Sequence, residues 1–273
     1  MAPVSELDHS VTDYRLEHVY WLVRAAKLAY DDEEAVRATT AEWGFDRQEF
    51  FRSELGGSFP IEDTQAFAAG SDQMVIVAFR GTEPAQIKDW LTDVNSLACP
   101  GPAGKGFVHE GFNRALDSIY PQVRDVVQRF RDGEQSLWFT GHSLGGALAM
   151  LASARMYFEE PELLPDGVYT FGQPRTCDRL LAAPYNEAFT SRVFRFVNNN
   201  DIVAQVPPEP AFHHVDEARY FDHNGKLHER MSLTGGLADR FSGLTGDVFA
   251  PGTDGVRDHF IDHYVAAVEK NLA

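Results

Sequence analysis

The 273-residue sequence has only two cysteines, Cys99 and Cys177, too few for a disulfide framework. The sequence leaves open whether these two pair with each other. No apolar run approaches the ~18 to 20 residues of a membrane-spanning helix, so we expect no integral membrane segment. The first residues lack the basic start and apolar core of a secretory signal. This favours a cytoplasmic location, or secretion if a signal has been removed.

Positive charge is also scarce, with 24 Lys and Arg against 41 Asp and Glu, for a net charge of −17 at pH 7. So acidic a chain is repelled by phosphate backbones, so we expect no nucleic-acid partner and no attraction to strongly anionic membranes. The sequence contains no internal repeat, low-complexity tract or obvious linker. Its length therefore predicts a single domain over residues 1–273 and leaves the oligomeric state open.

The strongest chemical signal is the segment 138–147, which reads WFTGHSLGGA. An apolar run typical of a buried strand leads into Gly-x-Ser-x-Gly, and a small-residue helix follows, as in a nucleophile elbow. In such a turn the Ser143 hydroxyl projects from the top of a sheet, and the first N–H groups of the helix lie where an anion is stabilised. Serine is a weak nucleophile at neutral pH, so the turn requires a base and a residue that orients the base.

Strand patterns alternate with helical patterns along much of the chain. The β-prone runs are 63–69, 74–79, the run before Ser143, 168–171 and 192–197, and the helical patterns include 14–30, 115–130 and 256–272. This alternation predicts an α/β fold with a largely parallel central sheet flanked by helices.

We expect the acid and the base at the carboxyl ends of the strands, where the reacting groups of an open α/β sheet lie. Asp201 directly follows the run 192–197, and the order Ser, Asp, His is that of the hydrolase template. His259 and His263 both follow Asp201 in the chain. The first lies at the beginning of the last helix and can reach across to the elbow, whereas the second is held one turn later. His142, beside the nucleophile, is expected to point away from it.

Two segments after the run 74–79 each allow two interpretations. The loop 80–84 lies where a hydrolase places a second oxyanion donor, although its two charged residues could instead pair in solvent. A short amphipathic helix is then predicted by apolar residues at helical spacing, namely Ile87, Trp90, Leu91 and Val94. Such a helix is either a fixed surface helix or a mobile cover over an apolar cleft, and amphipathicity does not distinguish them.

A loop-rich region over 207–255 contains four histidines, His213, His214, His223 and His228. Their spacing fits no metal-ligand signature, so we expect neither a metal nor a cofactor. The Asn224-Gly225 turn predicts a hairpin between 218–221 and 226–228. Residues 227–255 otherwise indicate no function.

Taken together, these motifs resemble the class 3 lipases of fungal-lipase type, an α/β-hydrolase family. The matching segments run from about residue 64 to the C-terminus and read FRGT at 79–82, DWLTD at 89–93, VHEGF at 108–112, GHSLGGA at 141–147, FGQPR at 171–175, NNDIV at 199–203 and DH at 258–259, with Tyr264 five residues after the histidine. One departure is His214-Val215-Asp216, where the family often has His-x-Gly.

The resemblance implies that Ser143 is the nucleophile, Asp201 the orienting acid and His259 the base. It also implies an oxyanion hole formed by Thr82 and the backbone N–H of Leu144.

In the same family pattern, the helix around Ile87, Trp90 and Leu91 corresponds to a lid. The resemblance implies a serine carboxylester hydrolase that acts on lipid esters at an oil–water interface, with triacylglycerols as the favoured substrates. The alternatives are a phospholipase or galactolipase with the same mechanism, and a lipase-like binding protein that lacks catalysis.

Overall fold

The computed structural model of the chain describes residues 6–53, 64–82, 87, 97–216, 218–229 and 253–272. The strands in these residues are β1 (Arg47–Arg52), β2 (Gln65–Gly70), β3 (Met74–Phe79), β4 (Ala98–Pro100), β5 (Phe107–His109), β6 (Ser136–His142), β7 (Gly167–Phe171), β8 (Val193–Asn198), β9 (Ala218–Phe221) and β10 (Leu227–His228). The helices are α1 (Leu16–Leu28), α2 (Glu33–Glu42), α3 (Glu110–Asp117), α4 (Tyr120–Phe130), α5 (Leu144–Glu159), α6 (Arg179–Ala188), α7 (Thr253–Asp258) and α8 (Ile261–Leu272).

Eight strands form one sheet in the order β1-β2-β3-β6-β7-β8-β9-β10. Neighbouring strands from β3 to β9 run parallel, whereas β1, β2 and β10 add antiparallel edges. The predicted α/β fold with a largely parallel sheet is therefore confirmed, and so is the hairpin between β9 and β10. Because the inner strands are parallel, the loops that follow β3, β6, β7 and β8 all leave the same edge of the sheet.

Both faces of the sheet are buried because alternate side chains of the central strands pack on opposite sides. Val75, Val77 and Phe79 of β3 join one apolar core with α3, α4 and α5, while Met74, Ile76 and Ala78 join a second core with α1 and α8. None of the described helices is both long enough and apolar enough to cross a membrane. A single domain over the whole chain remains a prediction.

The two cysteines are free, which answers the question that the sequence left open. Val108 pairs with Cys99 on one side and bridges to Cys177 on the other. The two cysteines therefore lie two strand spacings apart, roughly 9–10 Å, which exceeds the Cα separation that a disulfide spans.

Two predicted helices are each divided in the structure. The helix expected over 115–130 is instead α3 and α4, because Pro121 lacks an N–H and its ring would clash with the carbonyl of Asp117, the last residue of α3. The helix expected over 256–272 is instead α7 and α8, with His259 between them. At this break the Asp258 and His259 carbonyls accept hydrogen bonds from the side chains of Asn198 and His142, respectively.

Candidate active site

Ser143 lies in the sharp turn between β6 and α5, as the motif predicted. Its φ of 59° and ψ of −128° are strained for a residue with a side chain, at a cost of roughly 1–3 kcal/mol. The turn is held by a hydrogen bond of 2.9 Å from the Ser143 N–H to the Phe171 carbonyl. A Cβ atom at Gly145 would collide with the Phe79 carbonyl, and one at Gly141 would collide with Gly145 itself. Glycine is therefore required on both sides of the serine for the helix to approach the sheet this closely.

The structure brings His259 to Asp201 across 58 residues of sequence. The His259 Nδ1 atom lies 2.8 Å from Asp201 Oδ2, and both side chains are fully buried. Because a carboxylate only accepts, Nδ1 carries the proton and donates it, which leaves Nε2 with a lone pair. Nε2 is buried and has no hydrogen-bond partner among the described residues. An imidazole in this state is a base whose ring orientation is set by its acid partner.

Asp201 is itself held by two further donors. The Tyr264 hydroxyl donates to Oδ2 at 2.5 Å, and the Val203 N–H donates to Oδ1 at 2.8 Å. Burial, together with the charge of Asp201, raises the pKa of Tyr264 well above its ordinary value, so the phenol keeps the proton that it donates. Asp201 thus accepts three hydrogen bonds, which fix its position.

The loop that follows β7 passes directly beside this pair. Gly172 has a φ of +61°, and a Cβ atom there would lie 2.7 Å from Asp201 Oδ2 and 2.8 Å from His259 Nδ1. Only glycine lets the backbone pass so close to the hydrogen bond between acid and base.

The loop after β3 lies against the nucleophile. A Cβ atom on Gly81 would approach Ser143 Cβ to 3.1 Å, so the backbone here adjoins the serine side chain. The Thr82 hydroxyl oxygen is buried and has no hydrogen-bond partner among the described residues. Leu144 is the first residue of α5, so its N–H has no partner within the helix and lies at the positive end of the helix dipole. The two residues predicted to form the oxyanion hole therefore come from the loop after β3 and from the first turn of α5, on either side of Ser143.

The loop that carries His259 is anchored by a run of three asparagines that the sequence reasoning missed. The Asn198 side chain donates to the Asp258 carbonyl at 2.9 Å, and the Asn199 side chain donates to the Asp258 carboxylate at 2.9 Å. The Asn200 N–H donates to the same carboxylate at 3.3 Å. The only signal in the sequence was the run of asparagines immediately before Asp201, which does not identify the partner 58 to 60 residues away.

The structure describes His263 and Ile87, but not the other two residues predicted for the lid. His263 is half-buried on α8, two residues after that helix begins, and it is not the histidine bonded to Asp201. Ile87 is buried and packs in the core that contains α3, α4 and α5, whereas Trp90 and Leu91 lie outside the described residues. Within the described ranges, no group of histidine, cysteine and acidic residues could hold a metal ion.

Comparisons with known proteins identify relatives of this chain among the lipases. A family model described as "Lipase (class 3)" matches residues 76–211. The Arabidopsis thaliana protein named triacylglycerol lipase OBL1 is 30% identical over an alignment 235 positions long, and the match covers 68% of this chain and 45% of that protein. Another A. thaliana protein, named chloroplastic phospholipase A1-Igamma1, is 33% identical over an alignment 162 positions long, and the match covers 49% of this chain and 31% of that protein.

The fold is shared with solved structures of fungal lipases. The triacylglyceride lipase of Rhizomucor miehei superposes with a TM-score of 0.61 at 26% identity, covering 76% of this chain and 80% of that one. This similarity assigns the α/β-hydrolase fold, as the motifs predicted. The chain spans less than half the length of the two Arabidopsis relatives.

Proposed function

The chain belongs to the class 3 lipase family, and from this premise we propose that it is a serine carboxylester hydrolase that cleaves lipid esters, with triacylglycerols as its preferred substrates. One observation carries the proposal. A buried Asp201–His259 pair, whose outer nitrogen has no partner among the described residues, lies at the same sheet edge as a serine in a strained turn.

In the proposed reaction, Ser143 attacks the ester carbonyl while His259 Nε2 takes the hydroxyl proton. His259 then passes that proton to the departing alcohol, and water hydrolyses the acyl-enzyme by the same steps. Asp201 keeps the imidazole in the required tautomer and stabilises its cation. The Leu144 N–H and the Thr82 residue donate to the oxyanion, an effect worth about 3 kcal/mol for one good donor.

The proposed substrate contact is apolar. In this proposal the helix 87–94 is a lid that covers an acyl groove when closed and lies against the lipid surface when open. Burying each of its large apolar side chains contributes ~1.5–3 kcal/mol. The net charge of −17 opposes binding to anionic lipid, so apolar burial at an oil–water interface would drive this contact.

Phospholipid hydrolysis is the second candidate, because one relative at 33% identity bears the name of a phospholipase A1. It would use the same residues and differ only in how the head group is accommodated. A binding protein without catalysis is less well supported, because binding alone does not require a strained serine or a buried acid–base pair.

The test is a comparison of substrates. Hydrolysis rates are measured on p-nitrophenyl esters of increasing chain length, on an emulsified triacylglycerol and on a phospholipid dispersion. We expect ester hydrolysis with a clear preference for triacylglycerol. A preference for phospholipid would select the second candidate, and no turnover of any ester would refute the proposed function.

A further inference from the structure

His142, the residue before the nucleophile, is in contact with the base. The two imidazole rings lie 4.5 Å apart between centroids, with 30° between their planes. His142 Nε2 lies 2.7 Å from the backbone carbonyl oxygen of His259. The sequence predicted only that His142 points away from Ser143; the structure adds that its ring packs against that of the base.

The partners of His142 determine its protonation. A carbonyl only accepts, so Nε2 carries the proton and donates it to His259. The other nitrogen, Nδ1, lies 2.8 Å from the Tyr30 hydroxyl. Burial, and next the proximity of His259, holds the pKa of His142 well below its ordinary value, so the ring is neutral. In the neutral ring Nδ1 is an acceptor, and Tyr30 is therefore the donor.

Tyr30 extends this chain of contacts from His142 to the oxyanion loop, where the Gly81 backbone lies beside the phenol oxygen. A Cβ atom on Gly81 would collide with the same oxygen, which shows how closely the loop approaches Tyr30. The two hydrogen bonds each have one donor and one acceptor, from Tyr30 to His142 and from His142 to the His259 backbone, and the Gly81 backbone packs against Tyr30.

We propose that His142 and Tyr30 are positioning residues, which together fix the backbone of the base relative to the oxyanion loop. In this proposal the two residues act through His259 and not on the substrate itself. This inference rests on the proposed hydrolase function, since it concerns the alignment of the groups that carry out that reaction. It assigns a role to the histidine of the GHSLG segment that differs from general acid–base catalysis.

The alignment matters because His259 must meet both the serine proton and the departing alcohol. Asp201 holds one edge of its ring through Nδ1, and His142 holds its backbone and covers one face. The neutral state of His142 also matters, because a second positive ring at this distance would oppose the imidazolium that forms on His259 during the reaction.

Two variants break the chain of hydrogen bonds at different points, and a third restores one of its donors. His142→Phe keeps an aromatic ring but removes both hydrogen bonds of His142. Tyr30→Phe removes only the hydroxyl group of Tyr30. His142→Gln retains an N–H donor that can reach the His259 carbonyl. On a soluble short-chain ester, we expect His142→Phe to lower kcat by roughly ten- to a hundredfold while KM is unchanged. We expect Tyr30→Phe to lower kcat less, and His142→Gln to recover much of the loss.

A double variant separates positioning from general loss of packing. If Tyr30 acts through His142, Tyr30→Phe combined with His142→Phe should lower kcat no further than His142→Phe alone. His18→Phe is the matched control. His18 is also a buried, neutral histidine against the sheet, but its ring nitrogens have no hydrogen-bond partners among the described residues. We expect this control to retain the kcat of the wild type.

The outcomes distinguish this inference from the proposed function. Either unchanged kcat in His142→Phe or multiplicative losses in the double variant would overturn it, while hydrolysis by the wild type would still stand. If His142→Phe does not fold, the other two variants test the inference. A wild-type kcat in Tyr30→Phe would overturn it. A lower kcat in Tyr30→Phe, with a near-normal kcat in His142→Gln, would support it. Absence of turnover in the wild type would refute the proposed function first.

Discussion

Gly172 offers a substitution that acts on the acid–base pair without changing either residue. In Gly172→Ala the new methyl group would lie 2.7 Å from Asp201 Oδ2 and 2.8 Å from His259 Nδ1. Ordinary contact begins at about 3.5 Å, so relief of both contacts requires shifts of roughly 0.7–0.8 Å in the two side chains or in the loop. A displacement of this size in a catalytic group lowers kcat by ~10²-fold, and complete loss of the Asp–His alignment lowers it by up to ~10⁴-fold.

The backbone conformation of Gly172 also makes the substitution destabilising, and Gly104 provides a control for this effect. Gly172 has a φ of +61°, a conformation that costs an alanine about 1–2 kcal/mol. Gly104 has a φ of +70°, and a Cβ atom there would meet nothing within 4 Å. Gly104→Ala should therefore lose similar stability and keep the kcat of the wild type.

The assay uses initial rates on a soluble p-nitrophenyl ester, normalised to active sites by titration with an organophosphate. Thermal unfolding of both variants measures the shared loss of stability. If Gly172→Ala retains the same kcat as Gly104→Ala, the position assigned to the Asp201–His259 pair is wrong.

Three further predictions follow from the site and its surroundings. His259→Ala should abolish turnover of a soluble ester, whereas His263→Ala should retain most of it; the opposite result would move the base to His263. Trp90→Ser should reduce the rise in activity when the substrate passes from monomers to an emulsion, and equal damage to soluble and emulsified substrates would make helix 87–94 a fixed element. Burial lowers the pKa of His18 from 6.5 to about 3. The stability that depends on the neutral ring is therefore fully present above pH 6.5. It is lost as the pH falls toward 3, by up to about 1.4 kcal/mol per pH unit. Urea unfolding at neutral and mildly acidic pH should show a smaller acid loss in His18→Phe, and an unchanged loss would contradict this explanation.

Local patterns were sufficient to predict the sheet and the elbow. The β-prone run 74–79 and the apolar residues before Ser143 are buried on both faces in the structure, as uninterrupted apolar runs predict for parallel strands. Ser143 adopts its strained conformation because the glycines on either side remove collisions, and this requirement is visible in the sequence itself.

The contacts that align the base were not predictable from such patterns. Tyr30 meets His142 across 112 residues, and Asn198 meets Asp258 across 60. Neither contact has a local periodicity, because each depends on how separate segments pack at the sheet edge. The division between α3 and α4 is a different case, since Pro121 is visible in the sequence and a proline disrupts the helical turn that precedes it.

The lid is where the prediction still depends on the sequence alone. Ile87 is buried against the body of the protein, but the rest of its apolar stripe lies outside the described residues. The Trp90→Ser comparison therefore tests a property that only the spacing of apolar residues supports.

The most direct measurement identifies the nucleophile. The wild type and Ser143→Ala are treated with a fluorophosphonate probe, the labelled peptide is sequenced by mass spectrometry, and ester hydrolysis is measured on the same samples. We predict a single label on Ser143 in the wild type, no label in the variant, and a fall in hydrolysis of at least about 10⁴-fold with thermal unfolding unchanged. A label on another serine, or substantial hydrolysis by a correctly folded Ser143→Ala, would contradict the assignment of this site as the centre of the reaction.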